Sequence, residues 1–248
     1  MDARDTRGHD GERGAVADFV YEITCTGRED QEAAVHAWAD RDAAPAWAAL
    51  PGVRAVDLYR PLRGGTHDPF NDDGPGPLLI AMLQFLDRQK LEAGLAHSRF
   101  RESLAGKPAA VGATGTTMER RFFATTDAPN PGPLRAPFSY VVRYHHPAEN
   151  VTEFVSHYLA DHPPILGKLP GIRSVLCYLP LDSAAAAVLP PADYMLGNEV
   201  AFDSPDAFNA AMASPVRHEL RTHFRSFPKF SGRNTHYPMM RRQVLPAV

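Results

Sequence analysis

The sequence predicts an α+β protein: two ferredoxin-like βαββαβ units packed sheet to sheet as a pseudo-dimeric barrel. The first observation is an internal repeat. Residues 50–62, LPGVRAVDLYRPL, recur 119 positions later at residues 169–181 as LPGIRSVLCYLPL, with eight of thirteen positions identical. The second is that the same offset aligns Phe19, Tyr21 and Ile23 with Phe138, Tyr140 and Val142, so one register holds from residue 19 to residue 62. A repeat of that length marks a tandem duplication of a unit of about 110–120 residues. The third is the proline-rich stretch DAPNPGPLRAP at residues 127–137. It suits neither a strand nor a helix interior and reads as a connector. The chain therefore divides into a disordered tail (1–16), a first unit (17–126), the connector (127–137) and a second unit (138–248).

In the first unit the order reads strand 19–25, helix near 31–40, strand 54–60, strand 78–85, helices near 88–104 and strand 114–121. The second unit repeats that order with sharper signals. Phe138–His145 sets Phe138, Tyr140, Val142 and Tyr144 on one face of a strand. Asn150 then caps a helix, with Glu153 three residues on as a capping box. Val151, Phe154, Val155, Tyr158 and Leu159 follow at helical spacing and form an apolar stripe that must cover a sheet. His162-Pro163-Pro164 is expected to end the helix, because proline removes a donor and bars the preceding residue from helical backbone. Pro170-Gly171 turns the chain into a strand at Arg173–Leu179, and Met195–Phe202 is the third strand. Ser204-Pro205 supplies an N-cap and a proline at the first helical position; Ser214-Pro215 repeats the signal and restarts the helix through Phe224. Residues 231–237 close the unit as a last strand.

A βαββαβ unit carries both helices on one face of a four-stranded antiparallel sheet. Alternate positions on the other face hold Val20, Leu78, Ile80, Met82, Val141 and Met195. That face also needs cover, and two such sheets face to face supply it within one chain. A monomer then suffices, although a homodimer through edge strands stays open.

Composition narrows the function. With 22% charged and 44% hydrophobic residues and a net charge of −3, the chain has the make-up of an ordinary globular protein. No basic run suggests a nucleic-acid partner. No window approaches the roughly 18 apolar residues of a membrane span, and no apolar stretch follows the charged N-terminus as in a secretory signal. Cys25 and Cys177 both fall in predicted strands, as free thiols of a reduced, cytoplasmic protein would.

Several short motifs gather in the second unit: His162-Pro163-Pro164, Leu169-Pro170-Gly171-Ile172, Tyr178, and Asn198-Glu199-Val200-Ala201-Phe202-Asp203-Ser204. In these the sequence resembles the EthD-like branch of the dimeric α+β barrel superfamily over residues 138–237. The first unit departs from the pattern, since Ala43 takes the place of His162. The resemblance implies a pocket within an α+β barrel. It leaves the reaction open among cofactor-free oxygenases, isomerases, dehydratases, cyclases, decarboxylases and haem proteins.

Seven of the eleven histidines follow residue 137, which places any active pocket mainly in the second unit. His162 is the leading acid–base candidate, its alternative being a structural helix-end residue that pairs with terminal carbonyls. Arg143 and His145 alternate away from the aromatic face of their strand. There they would point into the barrel, the cation holding a carboxylate or enolate while the imidazole moves protons; otherwise they are idle rim residues. Tyr178, with its counterpart Tyr59, serves either packing or charge stabilisation. Glu199 alternates into the same interior as a proton acceptor of raised pKa, or else pairs with Arg143 or Arg173. His236 in the last strand is a weaker, substrate-binding candidate.

The off-stripe His157 suits a solvated or interface position. The acidic loop Asp68–Gly74 lacks calcium-loop spacing and reads as solvated. No histidine–cysteine cluster has zinc spacing, so no metal is expected. The leading expectation is an acid–base enzyme without a tightly bound cofactor, acting on a small hydrophobic or aromatic substrate. The alternatives are a haem protein with His157, His218 or His223 axial, and a non-catalytic small-molecule binder.

Overall fold

The computed structural model describes residues 17–129, 134, 136–182 and 188–245. The expected tail (1–16) and residues 130–133 and 135 of the expected connector lie outside the described residues. The strands are β1 (Ala17–Thr26), β2 (Val53–Pro61), β3 (Leu79–Phe85), β4 (Gly112–Phe123), β5 (Phe138–His145), β6 (Ser174–Pro180), β7 (Tyr194–Phe202) and β8 (Asn234–Val244). The α-helices are α1 (Glu32–Trp38), α2 (Ala44–Ala48), α3 (Arg88–Ala96), α4 (Ser98–Ala105), α5 (Val151–Leu166), α6 (Pro205–Met212) and α7 (Pro215–Phe224).

The eight strands close into one antiparallel barrel in the order β1-β3-β2-β8-β5-β7-β6-β4. Within it β4-β1-β3-β2 and β8-β5-β7-β6 have the same internal order. The two sheets do more than face each other. They join edge to edge, β2 with β8 (Tyr59 opposite Arg241) and β4 with β6 (Arg120 opposite Tyr178). Closure removes open sheet edges. It also explains why β8 outruns the expected 231–237: the strand leaves β5 near Met240 and continues along β2 to Val244.

Two further expectations are corrected. Helix α5 does not stop at His162 but passes through Pro163 and Pro164 to Leu166. The two rings free only the carbonyls of Leu159 and Ala160, and Ala160 is on the exposed side. The last turn is held by Gly167 N–H donating to Pro163 O (2.9 Å) and Thr126 N–H donating to Gly167 O (2.9 Å). In the first unit the helix expected to end near residue 40 continues through a π-helical turn, Ala39–Ala43, into α2.

Three apolar cores result. One lies between the first sheet and α1–α4, a second between the second sheet and α5–α7, and the third fills the barrel. Val20, Ile80, Met82 and Val141 line the barrel as alternation predicts. Leu78 and Met195 instead join the helix-side cores. For Met195 the cause is a register shift between Tyr144 and His145, which reverses the alternation opposite it.

Candidate active site

Strand alternation splits the predicted site residues between two sides of the second sheet. Arg143, Glu199 and Tyr178 point into the barrel, each no more than 1% exposed. There Tyr178 bonds to Glu199, and all three meet side chains arriving from the first unit. The Arg143 Nε donates to Glu22 Oε2 (3.2 Å), its Nη2 also reaches Glu22, and its guanidinium lies 4.8 Å from the Tyr178 ring. Burial opposes the charge on Arg143, but Glu22 outweighs it and the pKa rises. Gly197 sits opposite Arg143, where a Cβ would come within 2.8 Å of Nη1. The alternative reading of Glu199, a pair with Arg143 or Arg173, does not hold: Arg143 pairs with Glu22 of the first unit and Arg173 with Asp203.

Glu199 is fully buried and accepts from Ser139 Oγ (2.5 Å), Tyr178 Oη (2.5 Å) and Tyr59 Oη (3.3 Å). Burial pushes its carboxyl above the ordinary range, against the pull of the Ser139 and Tyr178 hydrogen bonds. The two repeated tyrosines thus converge on one carboxylate. His145 lies at the strand end against Tyr194 (ring centroids 5.1 Å apart), with its imidazole lowered by burial and by Arg233.

His162 and His236 face the other side, where the second sheet meets α5–α7. They line a cleft of about 560 Å³, counting its open mouth, walled by Tyr140, Val142, Tyr144, Leu166 and Leu220. A second cleft of about 840 Å³ adjoins it and shares Asp68, Asn71, Tyr140 and His236. Without the open mouths the first encloses about 60 Å³ and the second about 340 Å³, so only the second reaches the range of small-molecule sites. His162 comes from α5, is 6% exposed, and sets Nδ1 3.0 Å from Nδ1 of His223 on α7. Burial, followed by His223, pushes its imidazole down to about 3, so it is neutral.

His236 pairs with Val142 across β5–β8, which turns it to the helix side. Its Nδ1 lies 2.8 Å from Asp73 Oδ2, the same oxygen accepts its backbone N–H at 2.8 Å, and its ring stacks on Tyr140 at 5.7 Å. With Asp73 on Nδ1, the imidazole is oriented and Nε2 is left as the proton acceptor.

Asp73 belongs to the acidic loop that reads as solvated for want of calcium-loop spacing; Asp72, Asp73 and Gly74 are exposed, but Asp68, Phe70 and Asn71 are not. The loop between β2 and β3 crosses to the second unit and docks over the cleft. The Asp68 side chain, 3% exposed, accepts from Arg217 Nη2 (2.7 Å), Tyr140 Oη (2.8 Å), Asn71 Nδ2 (2.9 Å) and Phe70 N (3.0 Å). Phe70 lies under the guanidiniums of Arg217 and Arg221, at 4.7 and 5.4 Å. Asp68, Asp73, Arg217 and Tyr140 were missed as site residues. The one signal in the sequence was an aromatic residue, Phe70, amid loop carboxylates that fit no metal pattern.

Of the two positions expected for His157, solvated or interface, it takes the second: half-buried between α5 and α7, it stacks on His223 with centroids 5.3 Å apart and planes 4° apart. Phe227 packs edge-on against both rings. His218 packs edge-on against Phe70 at 5.5 Å. An axial histidine needs an open apolar slot for the porphyrin on the side of its metal-binding nitrogen. These rings instead pack on one another and on phenylalanines, so the three do not fit a haem.

No family model matches the chain, and no curated protein matches it. Solved structures do. An anthrone oxidase-like protein superposes with a TM-score of 0.63 at 12% identity, over 94% of this chain and 97% of that one. A monooxygenase-like protein from Lactobacillus acidophilus NCFM gives 0.53 at 10% identity, over 93% and 97%. Another from Fusobacterium nucleatum gives 0.51 at 8% identity, over 91% and 92%. The chain shares the α+β barrel fold of these proteins. At such identities the likeness shows the fold alone. No helix among the described residues is long and apolar enough to cross a membrane.

Proposed function

We propose that the chain is a small-molecule enzyme that removes a proton from an apolar, aromatic or enolisable organic substrate held in the second-unit cleft. The observation that carries this reading is the His236–Asp73 pair at the edge of an apolar cleft. A base oriented by a carboxylate, its free nitrogen beside a substrate-sized space, is the minimal equipment for general base catalysis. His236 thereby takes the role that the sequence assigns to His162. His162, on the opposite wall, offers a hydrogen bond to a substrate oxygen. Tyr140 is held by Asp68 and serves as a wall, since burial, then Asp68, keeps its phenol protonated. Arg143, Glu199 and Tyr178 lie across the sheet, and we assign them to holding the barrel together.

Deprotonation alone would serve an isomerase, dehydratase, cyclase or decarboxylase. The oxygenase branch is favoured here, because the full-length structural likeness runs to anthrone oxidase-like and monooxygenase-like proteins. A carbanion from an electron-rich aromatic CH₂ group reduces dioxygen to a bound peroxide. Loss of water then leaves a ketone on carbon. Substrate and dioxygen enter, quinone and water leave, and no cofactor is required. The EthD-like assignment rests on the motifs in residues 138–237 and belongs with this proposal.

The test is dioxygen uptake and quinone absorbance with an anthrone and with related polyphenols, for the native protein and for His236→Asn. We expect turnover with at least one of them and a fall in kcat of about 10²–10⁴-fold in the variant. Full activity in His236→Asn, or tight binding without turnover of any ligand, would overturn the reading.

A further inference from the structure

We infer that His157, Asp161 and His223 form a binding site for one divalent transition-metal ion of the zinc type. His157 and Asp161 are one helical turn apart on α5, and His223 faces them from α7. One ligand atom from each lies within 4.8 Å of the other two. Ligands at about 2.1 Å around a tetrahedral ion stand about 3.4 Å from each other, so small side-chain rotations close the shell. Two imidazoles and one carboxylate with a solvent-facing fourth position suit such an ion. Asp161 is exposed and the histidines are half-buried, which leaves that position to water.

A second observation points to a ligand. The Nε2 of His157 is buried and has no hydrogen-bond partner among the described residues. Leaving a buried ring nitrogen unpaired is unfavourable, and parallel stacking on His223 does nothing to satisfy it. An ion bound in the plane of the His157 ring at that nitrogen does.

The surroundings agree. The Nδ1 of His223 is turned to Nδ1 of His162 at 3.0 Å, so the other nitrogen is the one open to an ion. Metal-bound imidazoles habitually donate their second N–H to an acceptor, and here that acceptor is His162. Occupation settles which of the two facing nitrogens carries the hydrogen and fixes the His162 ring at the cleft wall. It also ties α5 to α7, the pair that frames the cleft. Under the 119-residue offset His157 corresponds to Trp38, so the site is peculiar to the second unit. The inference stands whether or not the cleft is catalytic.

The test uses full-length protein without a histidine tag, freed of metal by chelation and titrated with Zn²⁺ and with Co²⁺. We expect one ion per chain, visible absorption of tetrahedral Co²⁺, and a rise in Tm with Zn²⁺. His157→Ala, His223→Ala and Asp161→Asn should each weaken binding by more than about tenfold and abolish the thermal shift. His67→Ala, which removes an exposed imidazole elsewhere, should change neither. Asp161→Asn alters an exposed side chain, so it keeps the test valid if a histidine variant misfolds. Absence of one-to-one binding, or affinity within about threefold of native in Asp161→Asn and the histidine variants, would overturn the inference.

Discussion

Asp68→Ala is the most informative single perturbation, because this side chain joins the first unit to the cleft of the second. Its carboxylate is 3% exposed and pairs with Arg217, itself 10% exposed, while also accepting from Tyr140 Oη. Removing one member of a buried ion pair costs about 3–5 kcal/mol, since the other charge is stranded. A hydroxyl left unpaired adds about 1 kcal/mol. Arg217 retains some exposure and the cleft admits water, which discounts both contributions, to about 3 kcal/mol in total. For a chain of this length that is a fall in Tm of about 6–12 °C. Burial pushes the Asp68 carboxyl up, but Arg217 and the hydrogen bonds from Phe70, Asn71 and Tyr140 outweigh it, so the folded pKa is lowered. A lowered carboxyl stabilises the fold above its unfolded pKa of about 3.9 and loses that contribution as pH falls through the folded value. The penalty of Asp68→Ala should therefore be full at pH 7 and shrink below about pH 4. Urea unfolding at several pH values measures it, and a cycle with Arg217→Met isolates the pair. A cost under about 0.5 kcal/mol at pH 7 would refute docking of the loop through Asp68.

Two further outcomes follow from the barrel interior. Glu22→Ala strands Arg143, which is 1% exposed, and should cost about 3–5 kcal/mol; equilibrium unfolding checks this, and a near-neutral result would show that Arg143 finds other partners. Glu199 has a raised folded pKa, so its contribution is present below the unfolded value of about 4.3 and declines as pH rises toward the folded one. Glu199→Gln, which cannot ionise, should then gain stability relative to native between pH 4 and pH 8, and parallel thermal melts at the two pH values would expose an opposite trend.

Strands with clear alternation, such as β5, are legible in the sequence to the residue, because period-two hydrophobicity depends only on local burial. The far end of β8 is not. Pro238 and the Arg241-Arg242 pair obscure the alternation, and the pairing partner of that segment belongs to the other unit. The direction of Arg143, Glu199 and Tyr178 into the barrel follows from parity. What parity does not give is whether the space they enter is open, since that depends on Glu22, Tyr59 and other side chains arriving from a distant stretch of chain. His162 and His236 are legible as imidazoles of the second unit, but the carboxylates that orient the cleft reside in a loop with no regular spacing. His157 and His223 lie 66 positions apart on separate helices, so only the packing of α5 on α7 unites them.

The two helical layers are filled differently. In the first unit Trp38 and Trp47 meet edge to face with centroids 5.6 Å apart, and their indole N–H groups donate to Ser103 O (3.1 Å) and Oγ (2.8 Å). Under the 119-residue offset Trp38 stands where the second unit has His157, and Ala43 where it has His162. Bulk and hydrogen bonds fill in the first unit the layer that imidazoles line in the second. The first unit nevertheless supplies Asp68 and Asp73, without which Arg217 loses its counter-ion and His236 its orienting carboxylate. Barrel closure through β2–β8 places the start of that loop beside the cleft, with Leu62 N–H donating to Pro238 O (2.9 Å) two residues from His236. The cleft is therefore a property of the joined chain: the second unit provides its walls, and the first provides the groups that set its charges.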